Sequence, residues 1–294
     1  MGKQDSGWLP LAVALAVIVV WGATPVATKL AAREIDPLLV GIGRTLLGGL
    51  AAAPLALALR IERPRGRQIP LFALSAFCGF IGFPILFTIG QRLTSAMHGG
   101  LVLAVLPIFT GLIAAAVEGR RPGGRWWLGC AIAAVGEALL VAGRGSSGTT
   151  GASLEGDLLV ILSCTFASTG YVAGARLSQM QYASLGTSFW GASAASILLL
   201  PVLPAVNGGW TPPAAGPVAW GAIAFLAWIT SILGYIGWYW SLARGGIARM
   251  GTIQFLQPLS GLVLAFFLLD ERPSLALGIA TVLILVGVVV ARRS

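Results

Sequence analysis

Trp228, Ser231, Tyr235, Trp238 and Tyr239 recur at helical spacing and share one face of a helix. Turned toward a cavity, such a face binds planar, amphipathic molecules by stacking. Turned toward lipid, it packs against neighbours or forms an interfacial belt. Tyr171 and Trp190 pose the same choice. His98 is the only histidine and stands beside Gly99 and Gly100. There an imidazole has room to bond a carboxylate or titrate near neutral pH, or else it packs against a neighbouring helix. Glu137 lies in mid-run, where a carboxylate is costly unless paired or protonated. It suits proton coupling or a structural pair with Arg44. Lys29, near the end of its run, either snorkels or attracts a substrate carboxylate. Gln254 and Gln257 carry amides able to bond both ends of an amino acid. Pro258 deprives the Gln254 carbonyl of its helical donor. Trp21, Thr24 and Thr28 form a mixed face of their own. Pro25, Pro84, Pro107 and Pro258 offer either gating bends or static shape.

These side chains need a membrane around them. Hydrophobic residues make up 57% of the 294-residue chain and charged ones 10%, against about 25% charge in soluble domains. Mean hydropathy is +0.89, and the 40 glycines suit closely approaching membrane helices. Ten runs are long enough to span: 8–32, 37–59, 70–91, 94–117, 126–143, 155–177, 184–205, 217–241, 247–269 and 274–291. The first is too long for a signal-peptide core and has no clear cleavage site, so it reads as a retained span. With the N-terminus inside, thirteen Lys and Arg fall on the cytoplasmic side and five opposite. That asymmetry predicts both termini in the cytoplasm.

The ten runs divide into two halves, 1–143 and 155–294, joined by a Gly/Ser/Thr-rich linker over 144–154. Pro107 and Pro258 stand 151 residues apart, and each is followed 29 residues later by a glycine, Gly136 or Gly287. Gly129 and Ala280 match at the same offset. Glu118 to Pro122 and Glu271 to Pro273 close the matching runs, two residues out of register, since the proline-to-glutamate spacing is 11 in one copy and 13 in the other. A duplication with five spans per copy makes the copies inverted, a plan shared by many transporters.

Trp21-Gly22-Ala23-Thr24-Pro25-Val26-Ala27-Thr28-Lys29 is similar to the W-G-x-x-x-x-x-x-K signature of the drug/metabolite transporter superfamily, EamA type. Arg44 resembles the arginine of that family's second span, and Pro107 to Glu118 and Pro258 to Glu271 resemble its proline-to-glutamate stretches. Within the superfamily the chain most resembles the YddG-type exporters of aromatic amino acids. The resemblance implies an all-α protein of ten transmembrane helices in two inverted repeats around a central cavity, with no metal or organic cofactor. It implies alternating-access export of aromatic and other apolar amino acids across the bacterial inner membrane. Drugs or other small metabolites of the superfamily are the alternative cargo. The expected partners are a small-molecule substrate and membrane lipid, and the oligomeric state stays open, a monomer included.

Other classes fit poorly. The net charge of +9 lies mostly in short loops rather than on a nucleic-acid-binding face. Cys78, Cys130 and Cys164 form neither a disulfide framework nor a zinc motif. One histidine without HxxxH or HExxH leaves little for an embedded enzyme, and no GxxxxGK[ST] serves an ATP-driven pump.

Overall fold

The computed structural model describes residues 8–119, 123–142, 153–245, 252–271 and 274–292, among which every regular element is helical. In lipid, a backbone that bonds itself within one segment is what an apolar run must adopt. The helices are α1 (Trp8–Gly22), α2 (Thr24–Ala31), α3 (Pro37–Ala58), α4 (Gln68–Phe77), α5 (Phe83–Arg92), α6 (Ala96–Val102), α7 (Leu106–Glu118) and α8 (Gly124–Ala142). They continue as α9 (Leu154–Gln179), α10 (Ser184–Leu199), α11 (Val202–Asn207), α12 (Pro217–Ala224), α13 (Gly234–Gly245), α14 (Gln257–Leu269) and α15 (Leu275–Arg292). Several join end to end, so that six segments of the described residues are long and apolar enough to cross a membrane: Trp8–Ala31, Pro37–Ala58, Gln68–Arg92, Ala96–Val117, Leu154–Gln179 and Pro217–Ser241. α14 and α15 are shorter apolar helices.

The joins explain the prolines. Pro25, Pro84, Pro107 and Pro258 each open a new helical segment, where the missing N–H is one the helix does not use. Pro84 follows a π-helical turn, Cys78–Gly82, and Pro107 and Pro258 follow 3₁₀ turns, Leu103–Val105 and Thr252–Leu256. The carbonyl that Pro84 leaves without a donor belongs to Phe80, and the Thr45 hydroxyl donates to it at 2.6 Å.

Element boundaries repeat at the same offset of 151. α5 and α13 begin at Phe83 and Gly234, each after a π-helical stretch. α7 and α14 begin at Leu106 and Gln257, run for 13 residues, and end on left-handed caps at Gly119 and Asp270. α8 and α15 begin at Gly124 and Leu275. The two-residue slip expected at the charged turn is therefore confined to the acid. Glu118 is the last residue of its helix, whereas Glu271 follows the cap of the other.

α8 packs against α15 through small residues. A Cβ placed on Gly129 would fall 2.3 Å from the Gly287 carbonyl oxygen, and one on Gly136 would fall 3.0 Å from that of Ala280. Residues 129 and 136 thus meet 287 and 280 in descending order, which makes these equivalent helices antiparallel. The linker, most of which spans 143–152, lies outside the described residues, as do the side chains of Pro107, Glu118 and Glu137.

Candidate functional site

The centre of the bundle is aromatic. Trp21, in the last turn of α1, lies parallel to Tyr171 of α9, with ring centroids 5.8 Å apart and planes 6° from parallel. Tyr235 and Trp238 of α13 approach the same indole at 5.6 and 5.4 Å. Tyr235 in turn contacts Phe80 and Tyr239 at 5.0 and 5.7 Å. All these rings are buried. The Trp21 indole N–H donates to the Thr230 carbonyl at 2.8 Å, inside the π-helical stretch Phe225–Leu233 where the backbone ladder departs from α geometry.

A small cavity of about 20 Å³ opens between Trp21, Thr24, Arg44, Tyr171, Tyr235 and Gln257, residues drawn from before and after the midpoint of the chain. That volume holds about one water. Arg44 is 3% exposed. Its Nη2 donates to Thr230 Oγ1 at 3.2 Å and Ser231 Oγ at 2.9 Å. Both hydroxyls donate their own protons to the Leu226 carbonyl, so they are free to accept from the guanidinium. Nε and Nη1 of Arg44 have no hydrogen-bond partner. The expected partner Glu137 sits on α8, which packs chiefly on α15, while α3 packs on α5, α10 and the 217–233 segment. The Glu137 side chain lies outside the described residues, and the acceptors around Nη2 are hydroxyls.

Trp228 and Trp190, expected at the cavity, lie elsewhere, as does Lys29. Trp228 is 44% exposed, and its indole donates to the Leu47 carbonyl at 2.9 Å. The π-helical stretch accounts for this: its wider turn rotates residue 228 off the face that an unbroken α-helix would share with Tyr235. Trp190 donates to the Ile61 carbonyl at 3.1 Å and lies under the Arg63 guanidinium, 4.9 Å from the ring centroid. It fastens the 61–63 loop. Nearby, Tyr182 donates to the Glu62 carbonyl at 3.1 Å, and burial, with the Glu62 charge, pushes its phenol up to about 12. Lys29 donates to the carbonyls of Gln91, Arg92 and Thr94, so its ammonium caps the C-terminus of α5.

His98 sits away from the aromatic cluster, with Nε2 2.9 Å from Asp157 Oδ1, both side chains nearly inaccessible. Gln254 is buried, and its Nε2 has no partner. Sequence reasoning missed Asp157 and Thr230, and it placed Ser231 on the aromatic face and Glu271 in a closing turn without giving either a contact. Asp157 alone carried a readable signal, an acid inside an apolar run. A separate cavity of about 540 Å³ lies between α3, α10 and α12, lined by Leu46, Leu50, Ile197, Leu200 and Trp220, and is almost wholly apolar.

The sequence profile of the EamA-like transporter family matches residues 8–142 and again 154–293. The chain belongs to the EamA-like transporter family. It is similar to the uncharacterized transporter YdeK of Bacillus subtilis, 32% identical over the whole chain and 99% of that protein. A probable terminal-alkyne amino-acid exporter of Streptantibioticus cattleyicolor is 28% identical, over 94% of this chain and 93% of its own. One solved crystal structure superposes with a TM-score of 0.69 over 96% of each chain at 21% identity, a likeness of fold. This EamA protein is a multi-pass membrane transporter, and its aromatic centre is built from spans of both matched regions.

Proposed function

We propose that this EamA protein is a YddG-type secondary exporter that moves aromatic and other apolar amino acids across the bacterial inner membrane. The observation that carries this reading is the ring cluster of Trp21, Tyr171, Tyr235 and Trp238 around a small polar cavity. Rings of this kind stack on a planar side chain, while Thr24, Arg44 and Gln257 supply polar contacts for the rest of an amino acid. The relative described as a probable terminal-alkyne amino-acid exporter supports this cargo class.

The proposed architecture is ten spans in two inverted halves, 1–143 and 155–294, linked by 144–154, with both termini cytoplasmic. The offset of 151 in element boundaries and the antiparallel crossing of α8 and α15 support it. Inverted halves pack in two near-equivalent ways, and exchanging them opens the centre to alternate sides. With few ionisable groups at the core, the proposed transport is facilitative, down the substrate gradient.

Counterflow in proteoliposomes with labelled Phe, Trp, Ala and Lys tests the reading. Exchange of Phe and Trp without a pH gradient is expected. Exchange that requires a pH gradient overturns the facilitative mechanism, and no exchange of any amino acid by folded protein overturns the cargo class.

A further inference from the structure

We propose that Arg44 is the anchor for a substrate carboxylate, with the faces of Trp21, Tyr171 and Tyr235 holding the apolar remainder. The inference rests on the export reading of this same cavity and names the chemical class it selects. Arg44 is almost completely buried in the middle of the bundle. A buried charge is retained at low cost only when paired and fully hydrogen-bonded. Here two neutral hydroxyls engage a single nitrogen, and the N–H groups of Nε and Nη1 are unengaged. Among the described residues, no acidic side chain bridges to it.

The same guanidinium borders the small central cavity. A volume of about one water is smaller than a carboxylate, so the rings must part to admit the ligand. A carboxylate supplies the missing negative charge and up to four acceptor lone pairs, matching the unused donors. An amine meets a fixed positive charge and is disfavoured. Thr230, which also lines the cavity, and Ser231 hold Nη2, which fixes the guanidinium before the ligand arrives. The site thus discriminates by the charge of one end and the flatness of the other.

The test uses the purified full-length protein and titrates three probes of similar shape, 3-phenylpropanoate, 3-phenylpropanamide and phenethylamine, by isothermal calorimetry. The acid is expected to bind about tenfold to a hundredfold more tightly than the amide, the range of a charge-assisted bond. The amine is expected to bind most weakly. Arg44→Gln should bring the acid down to the level of the amide. If Arg44→Gln does not fold, Arg44→Lys serves, with the acid preference falling severalfold for want of the planar fork. Equal binding of acid and amide, absence of binding by both, or an acid preference untouched by the folded Arg44 variant overturns the assignment. Phe counterflow without acid preference leaves the export reading standing and removes the anchor. Acid preference without transport of any amino acid keeps the anchor and removes that cargo.

Discussion

The carboxylate of Glu271 accepts the backbone N–H groups of Ala96 and Met97 at 2.9 and 2.8 Å, fastening the end of α14 to the start of α6. Both donors belong to residues only 1% exposed, so water does not readily replace the acid. Lys29 completes the arrangement from the other side, on the carbonyls that end α5. One turn between two spans therefore has its orphan backbone groups satisfied by side chains from two other spans. Glu271→Ala should cost about 1–2 kcal/mol, the range for losing an N-terminal cap with buried donors. Glu271→Gln should cost less, because the amide oxygen still accepts one N–H. Thermal unfolding in detergent ranks the three proteins, and equal midpoints would refute the role.

Trp21 combines a ring contact with a directed hydrogen bond, and two substitutions separate them. Trp21→Phe keeps a ring against Tyr171 but loses the donor to the Thr230 carbonyl, at a cost of about 1 kcal/mol. Trp21→Ala also empties the space among Tyr171, Tyr235 and Trp238, at about 3–5 kcal/mol. Phe counterflow should persist in the first variant and fall steeply in the second at equal folded protein. Equal flux in both would remove Trp21 from the transport site.

The sequence carried the membrane character, the offset of 151 and the prolines that open new segments, because each follows from apolar run length or from chain chemistry. It also carried the residues that the structure gathers at the centre: Trp21, Thr24, Tyr171, Tyr235, Trp238 and Gln257. Trp228 misled because its placement on the cavity face assumed 3.6 residues per turn through a stretch that is π-helical. Thr230 escaped notice, and Ser231 was read only as a member of the aromatic face, because a hydroxyl in an apolar helix commonly bonds its own backbone and only the three-dimensional packing sets Arg44 against these two. Lys29 was read by its charge, but its role depends on a helix end supplied by another span.

His98 and Asp157 form a buried pair joining α6 to α9. Removing one member of such a pair is costly, about 3–5 kcal/mol, because the other is left in apolar surroundings. His98→Ala alone should therefore unfold the protein at a lower temperature than the double variant His98→Ala, Asp157→Ala. A double-mutant cycle read by thermal unfolding should give a coupling of about 1–3 kcal/mol. Additive effects would mean that the 2.9 Å approach contributes nothing to stability. If the double variant also restores counterflow lost in the single one, the pair is structural rather than a coupling site.

The crossing of α8 and α15 tolerates no side chain at its closest point. A Cβ on Gly287 would sit 2.4 Å from the Ala133 amide nitrogen and 2.6 Å from the Gly129 carbonyl oxygen. These are backbone atoms, so relief requires the helices to separate. Helices in lipid associate largely through such close packing, and bulk at the contact abolishes it. Gly287→Leu should therefore yield protein that inserts but elutes as aggregate after extraction. Gly278, on the same helix, has open space where a Cβ would go. Gly278→Ala should be neutral or stabilising by up to about 1 kcal/mol, the helix-propensity difference between the two residues. Size-exclusion profiles and thermal midpoints of the two variants compare contact with propensity on one helix. A monodisperse, stable Gly287→Leu protein would show that α8 and α15 do not cross in the manner described.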